Sequence, residues 1–248
     1  MQKTTANKPS SSPANKLLLQ PMISDIVAAN FSIDPDVLAE HVPPGLELDD
    51  YNGETYISLI AQTVSKAGPF GMFGKFNQLS LRFYVRRKST GISRKGTCSL
   101  KSYVSNGTGA FLLGSKFIEE FKKLKIKNSN SGFNGNGIPN ADYSWQVEEN
   151  QNRLRVKARS PIKNDGPNTK VGFILSHTNH YEGNRGKTLE YRIDRPNWTA
   201  WDAAKASFTC DVKRLFGLDF VKPLAKRPAS VFVTAGSVVS IYRPVGIN

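Results

Sequence analysis

Asn77-Gln78-Leu79-Ser80-Leu81-Arg82-Phe83-Tyr84-Val85 and Gly96-Thr97-Cys98-Ser99-Leu100-Lys101-Ser102-Tyr103-Val104 are two runs of period-two alternation joined through Ser89-Thr90-Gly91. Leu79, Leu81, Phe83 and Val85 take one side of the first run. Ser80, Arg82, Tyr84 and Arg86 take the other. Two such runs about a glycine turn read as an antiparallel hairpin over Asn77 to Arg87 and Gly96 to Val104. A one-residue slip would set leucine against lysine, so apolar pairing selects the parity of the register. A turn centred near Gly91 sets Phe83 opposite Leu100, Val85 opposite Cys98 and Arg82 opposite Lys101. If that last pair faces an interior, burial and like charge both disfavour the ammonium form of Lys101. Its neutral amine is then a nucleophile for a carbonyl, with Arg82 as a bidentate partner for a carboxylate. If the face is outside, both belong to a basic, solvated surface.

The chain around the hairpin is also mainly strands. Ile23 to Ile33 reads as a strand, and Asp34-Pro35 as the cap and first position of a short helix that Pro43-Pro44 ends. Asn52-Gly53 marks a tight turn before the strand Tyr56 to Val64, whose two apolar faces make it central. Lys66 to Gly74 is glycine-rich and carries Phe70, Met72 and Phe73. Asn106-Gly107-Thr108-Gly109 breaks the chain, and Ala110 to Leu124 reads as an amphipathic helix. Lys127 to Asn140 reads as a loop. Tyr143 to Glu149 and Arg153 to Arg159 form a second hairpin about Asn150-Gln151, with Trp145 facing Val156 and Val147 facing Leu154. Pro167 to Ser176 is a helix, Thr188 to Ile193 a strand, and Thr209 to Phe216 a short helix closed by Gly217. Ser230 to Thr234 and Val238 to Tyr242 are the last strands. The expected class is α+β, mostly β: a closed or conical antiparallel β-barrel-like sheet with a few packed helices. Residues 1–21 are expected to be a flexible tail, and residues 22–248 one domain.

Composition narrows the function classes. The 248 residues are 39% hydrophobic, enough for one substantial core, and carry a net charge of +14. No run approaches the ~20 apolar residues of a membrane span, and Leu17-Leu18-Leu19 is too short for a signal-peptide core, so a cytoplasmic protein without a membrane partner is expected. Cys98 and Cys210 match no metal or redox spacing and read as free thiols. His41, His177 and His180 have no matching carboxylate or cysteine spacing, and no metal site is expected. Gly71, Gly74, Gly107 and Gly109 form no phosphate loop, and no cofactor is expected. The charge concentrates on the two hairpins, at Arg82, Arg86, Arg87, Lys88, Arg94, Lys95 and Lys101, and at Arg153, Arg155, Lys157 and Arg159. That leaves binding of nucleic acid or another polyanion open on charge alone, with no reader motif in support. A homo-oligomer is equally open.

Four groups of residues share an order and spacing with one family. They are Val42-Pro43-Pro44-Gly45-Leu46 with Tyr51-Asn52-Gly53-Glu54-Thr55-Tyr56; Asn77 to Val85; His180-Tyr181 with Leu189-Glu190-Tyr191-Arg192-Ile193 and Pro196-Asn197-Trp198; and Pro228-Ala229-Ser230, Ala235-Gly236-Ser237 and Val239-Ser240-Ile241-Tyr242. Over residues 22 to 244 the chain resembles the uncharacterised YqjF-like branch of the acetoacetate decarboxylase-like superfamily. The resemblance implies a closed or conical barrel with an internal pocket, in which the decarboxylases hold a lysine that forms a Schiff base with a keto acid. The position of that lysine falls near Ser105-Asn106-Gly107, so Asn106 stands where the amine is expected, and Asn106 cannot form an imine. The decarboxylases' glutamate beside the lysine is not evident in the sequence.

The expected function is therefore binding of a small anionic organic molecule of keto-acid type in an internal pocket, with decarboxylase or other lyase chemistry open. The alternative is a binding or structural module without chemistry. Lys101 and His180 are the candidate catalytic groups, as amine and as acid or base. Arg82, Tyr84, Tyr103, Asn106, Tyr181 and Tyr242 are the candidate ligand-binding residues.

Overall fold

The computed structural model describes residues 16–67, 74–89, 92–133, 137–162, 168–184 and 186–247. The sequence expectations at residues 1–15, at Phe70, Gly71, Met72 and Phe73, at Thr90-Gly91 and at Pro167 lie outside these residues. The chain starts as β1 (Leu17–Leu19) and β2 (Met22–Ser32), turns through α1 (Pro35–Leu38), and continues as β3 (Glu47–Leu48), β4 (Tyr56–Ser65), β5 (Phe76–Ser89) and β6 (Ile92–Val104). Next come α2 (Gly107–Gly114), β7 (Phe121–Lys123), β8 (Lys125–Asn128), β9 (Asn140–Val147) and β10 (Asn150–Pro161). Then follow α3 (Lys170–Ser176), β11 (Asn179–Asn184), β12 (Lys187–Tyr191), β13 (Ile193–Asp194) and β14 (Ala200–Thr209). The last elements are α4 (Val212–Leu215), α5 (Val221–Leu224), β15 (Ser230–Val238), β16 (Ser240–Tyr242) and β17 (Val245–Ile247).

One large sheet runs β17-β12-β11-β6-β5-β4-β2-β15-β14-β10-β9-β8, with β3 and β7 added beside β5 and β6. Every pair is antiparallel except β6 with β7 and β6 with β11. β1, β16 and β13 form a separate three-stranded sheet, so Leu17–Leu19 is a paired strand rather than tail. The large sheet is mostly β as expected but not a closed barrel. Its terminal strands β17 and β8 share no ladder, and β8 meets the middle of the sheet through side chains. Asn77 Nδ2 donates to the Ile126 carbonyl at 3.2 Å, and Asn128 Nδ2 to Thr63 Oγ1 at 2.9 Å. Asparagine amides therefore replace the backbone bonds that closure would need.

The alternation of β5 sorts its side chains to two faces. Leu79, Leu81, Phe83 and Val85 are at most 1% exposed and enter the main core, with the inward residues of β2 and β4, Tyr143 and Trp145 from β9, and Leu215 and Phe220 from the α4–α5 region. Ser80, Arg82 and Tyr84 point the other way. That second face is covered by α2, α3 and the small sheet, which carry two further cores around Leu113 with Ile241 and around Phe173 with Phe232. Buried apolar surface on both faces explains why β4 and β5 are central. Both cysteines are free thiols.

The register of the first hairpin differs from expectation. The strands meet at Ser89↔Ile92, which sets Phe83 opposite Cys98, Val85 opposite Gly96 and Arg82 opposite Ser99. The ladder then shifts between Leu81 and Arg82, and Leu81 faces Lys101, so Leu100 is an extra, bulged residue. The pairing of Ser89 with Ile92 moves the register by an even step and keeps the apolar faces together. The bulge adds an odd step, and it separates Lys101 from Arg82.

Other expectations are corrected by local chemistry. Asn106 caps a helix that ends at Gly114, and Phe121–Lys123 continues as a strand beside β6 instead of as helix. In the second hairpin Trp145 faces Asn152 and Tyr143 faces Leu154, because the turn is Glu148-Glu149, with Glu148 at a positive φ of 51°. Asp211, not Thr209, caps α4. β14 occupies residues with no expected element before Thr209, since its alternation is faint and alanine-rich. β15 runs through Ala235-Gly236-Ser237 because Gly236 adopts φ 77° against the Ile23 carbonyl.

Candidate ligand-binding cavity

Between the second face of the sheet and its cover lie two adjoining chambers, a lower one of about 100 Å³ and an upper one of about 120 Å³, which share Ile23, Gln62, Arg82, Thr97 and Ile193 as walls. Each has room for a molecule of a few heavy atoms, since a water occupies about 30 Å³ of liquid. β4 and β5 supply the cavity with a polar floor, which on β5 is the polar side of its alternation. Gln62 Nε2 donates to Gln78 Oε1 at 3.0 Å, and Arg82 Nε donates to Ser80 Oγ at 3.0 Å.

Arg82 is the main charge in this floor. Burial lowers its pKa, and the Glu119 carboxylate works against that loss. Among the described residues its terminal Nη groups have no hydrogen-bond or ion-pair partner, and the accessible surface Arg82 keeps belongs to the wall of both chambers. A second guanidinium, Arg195, lines the upper chamber and stacks over Trp198 at 4.0 Å. Its Nη2 donates to the Leu175 carbonyl at 2.6 Å, and burial lowers its pKa to about 10.

His180 lines the lower chamber from β11. Its Nε2 stands 3.5 Å from Glu119 Oε2 and 3.5 Å from Glu182 Oε1. Burial works against the charged ring, but the two carboxylates outweigh it and lift the His180 pKa to about 9. Burial likewise opposes the charge on Glu182, yet His180, the Ile118 amide at 2.9 Å and the Tyr191 hydroxyl hold its pKa below the ordinary value. Glu119 Oε1 is buried without a hydrogen-bond partner. Glu119 and Glu182 also line an outer cleft of about 390 Å³ on the far side of this wall.

The structure brings Arg82, Tyr84 and His180 to the cavity and leaves the other candidates elsewhere. The Tyr84 hydroxyl lies 2.5 Å from Ser58 Oγ, and burial raises its pKa to about 12. Lys101 is exposed, on the face opposite Arg82, and lines the outer cleft. Tyr103 donates to the Leu215 carbonyl at 2.6 Å within the main core. Asn106 accepts from the Gly109 amide at 2.6 Å as the α2 cap. Tyr181 is buried on the side of β11 away from His180, donating to the Arg94 carbonyl at 3.2 Å. Tyr242 is covered by the Arg192 guanidinium at 3.8 Å. No lysine lines either chamber among the described residues.

Sequence reasoning missed Gln62, Gln78, Thr97, Glu119, Glu182 and Arg195. Glu182 had a usable signal: His180-Tyr181-Glu182 on a strand puts His180 and Glu182 on one side. Glu119 had none, because it lies in the irregular segment between α2 and β7.

Residues 22–237 match the family model DUF2071, described as an uncharacterized conserved protein. No curated protein matches the sequence. Among solved structures the chain is similar to the enduracididine biosynthesis enzyme MppR complexed with pyruvate, at 13% identity over 94% of this chain and 90% of that chain, with a TM-score of 0.62. It is similar to an acetoacetate decarboxylase-like enzyme from Sphingomonas wittichii RW1, at 12% identity over 100% of both chains, TM-score 0.63. Acetoacetate decarboxylase from Legionella pneumophila gives 12% identity over 99% of this chain and 97% of that chain, TM-score 0.62. At these identities the likeness establishes the fold, which is that of the acetoacetate decarboxylase-like proteins.

Proposed function

The chain belongs to the DUF2071 family, and on that footing we propose that it binds a small organic anion of the keto-acid class inside the two chambers, with Arg82 as the carboxylate receptor. The observation that carries this reading is a guanidinium lining an internal cavity, its Nη groups without a hydrogen-bond or ion-pair partner among the described residues. A half-buried cation whose Nη groups lack hydrogen-bonded counter-charge is costly, and a ligand carboxylate adds the fork geometry that the more distant Glu119 does not supply. Arg195 strengthens the positive field of the upper chamber. The chamber sizes suit an acid of pyruvate's scale, and one structural relative is complexed with pyruvate.

Schiff-base chemistry at Lys101 is not part of this reading, because Lys101 lies outside the cavity, across the sheet from Arg82. The polyanion alternative loses support from the pairing of its cations. Arg153 and Arg155 hold Asp142, Arg159 holds Asp202, and Arg87 and Arg94 hold Glu190.

Calorimetric titration with pyruvate and acetoacetate tests the proposal. Saturable binding is expected, weakened roughly 10- to 100-fold in Arg82→Ala, the worth of a charge-assisted pair. Borohydride treatment in the presence of either acid is expected to leave every lysine unmodified. Binding indifferent to Arg82→Ala, or a reduced adduct on Lys101, would overturn the reading.

A further inference from the structure

Glu119, His180 and Glu182 converge in the wall between the lower chamber and the outer cleft, and the keto-acid reading gives them no role. One nitrogen and one oxygen from each carboxylate lie within 4.8 Å of one another. The side chains are only 12%, 10% and 5% exposed, in residue order. The 3.5 Å separations from His180 Nε2 to both carboxylates are long for hydrogen bonds between charged groups, which close to about 2.7–2.9 Å. They match instead the roughly 3–3.6 Å between neighbouring ligand atoms on one ion with bonds of about 2.0–2.4 Å. Glu119 Oε1 adds a buried acceptor with no partner.

We propose that Glu119, His180 and Glu182 form a binding site for a first-row divalent cation such as Mn²⁺ or Zn²⁺. One imidazole and two carboxylates suit a borderline ion better than Ca²⁺ or Mg²⁺, which favour all-oxygen shells. The set is already braced. The Ile118 amide at 2.9 Å and the Glu119 amide at 3.3 Å hold Glu182, as outer hydrogen bonds commonly orient metal-binding carboxylates. β11 places His180 and Glu182 two residues apart on one side of a strand, and the segment after α2 brings Glu119 across to them. The chamber on one side and the cleft on the other give an ion an entry path, and they leave its remaining positions open to an exchangeable ligand. The site stands on these three side chains alone and does not depend on keto-acid binding at Arg82.

Chelator-treated protein titrated with MnCl₂, with free Mn²⁺ followed by electron paramagnetic resonance, and with ZnSO₄ by calorimetry, tests the site. One equivalent of micromolar or tighter binding is expected for at least one of the two ions. His180→Ala and Glu182→Gln should each weaken it about tenfold or more, a loss of the size seen when a metal site's hydrogen-bonded support is removed. His41→Ala, which removes a partly exposed histidine outside the cluster, should leave it unchanged. If the β11 variants misfold by circular dichroism, Glu119→Gln decides, since Glu119 lies outside β11 and its Oε1 has no hydrogen-bond partner among the described residues. Absence of saturable binding by both ions, or full affinity in folded Glu119→Gln, overturns the site. Keto-acid binding that survives without added metal leaves the Arg82 reading intact and separates the two proposals.

Discussion

Asp49 is 1% exposed, with Arg86 Nη1 at 3.0 Å, His177 Nε2 at 3.0 Å and Lys95 Nζ at 3.1 Å around its carboxylate. Burial alone would raise its pKa, but His177 and Lys95 outweigh burial and hold it at about 2, below the ordinary 3.8. A carboxyl whose pKa falls on folding adds stability in full above its unfolded value, and that stability is lost as pH drops through the folded one. Urea midpoints should therefore fall between about pH 4 and pH 2, with Asp49 accounting for roughly 2 kcal/mol. Asp49→Asn should flatten that limb of the profile, and an unchanged limb would remove Asp49 from the account. Single residues were legible where the pattern was local. Arg82 followed from alternation on β5, and Asp34 as a cap from its place before Pro35. Asp49 and Glu119 were not, since their partners come from segments far away in the chain.

At the scale of elements, α2 shows how a site expectation turns into a structural role. Asn106 accepts from the Gly109 amide, and the helix it starts carries Leu113 into the lower chamber. Asn106→Ala should cost about 1 kcal/mol of unfolding free energy, measured by urea titration, with ligand affinity changed only as far as the cover loosens. A total loss of binding without a loss of stability would return Asn106 to the ligand site. Strand existence was readable for β5, β6, β9, β10 and β12, where apolar and polar residues alternate, and for β2 and β4 from their short apolar runs. Helix length after Gly109 was not, because Phe117 and Phe121 continue the apolar count while they pack against each other at 6.1 Å outside the helix. Registers were the least readable. The pairing of Ser89 with Ile92 and one bulged leucine are geometric choices that patterning alone leaves open.

For the molecule as a whole, packing on both faces predicts that the centre of the large sheet opens less readily than its cover of α2, α3 and the small sheet. β4 and β5 pack on both faces, whereas α2 exposes Phe111 at 74% and rests on one side only. Hydrogen exchange should show the slowest amides in β4 and β5, and the amides of α2 exchanging through local opening. Equal protection in both would mean that the cover and the sheet open together. The chemistry of the cavity was hard to read because its parts converge from β5, the segment after α2, β11 and the turn after β13. The mostly β class and the acetoacetate decarboxylase-like fold were readable, since they rest on several short motifs spread along the chain, and the family match covers residues 22–237. Closure of the sheet was not, since it depends on whether two distant edges meet.

The bulged Leu100 carries a consequence for how chemistry can change on this scaffold. Were the extra residue to migrate two places toward Tyr103, Lys101 would stand opposite Ser80 and project beside Arg82. An amine would then pass from solvent to the interior with no side chain replaced. Slippage of strand pairing, by insertion, deletion or bulge migration, is thus a route between an amine-bearing pocket and an amine-free one, and comparisons that score substitutions alone would not detect it.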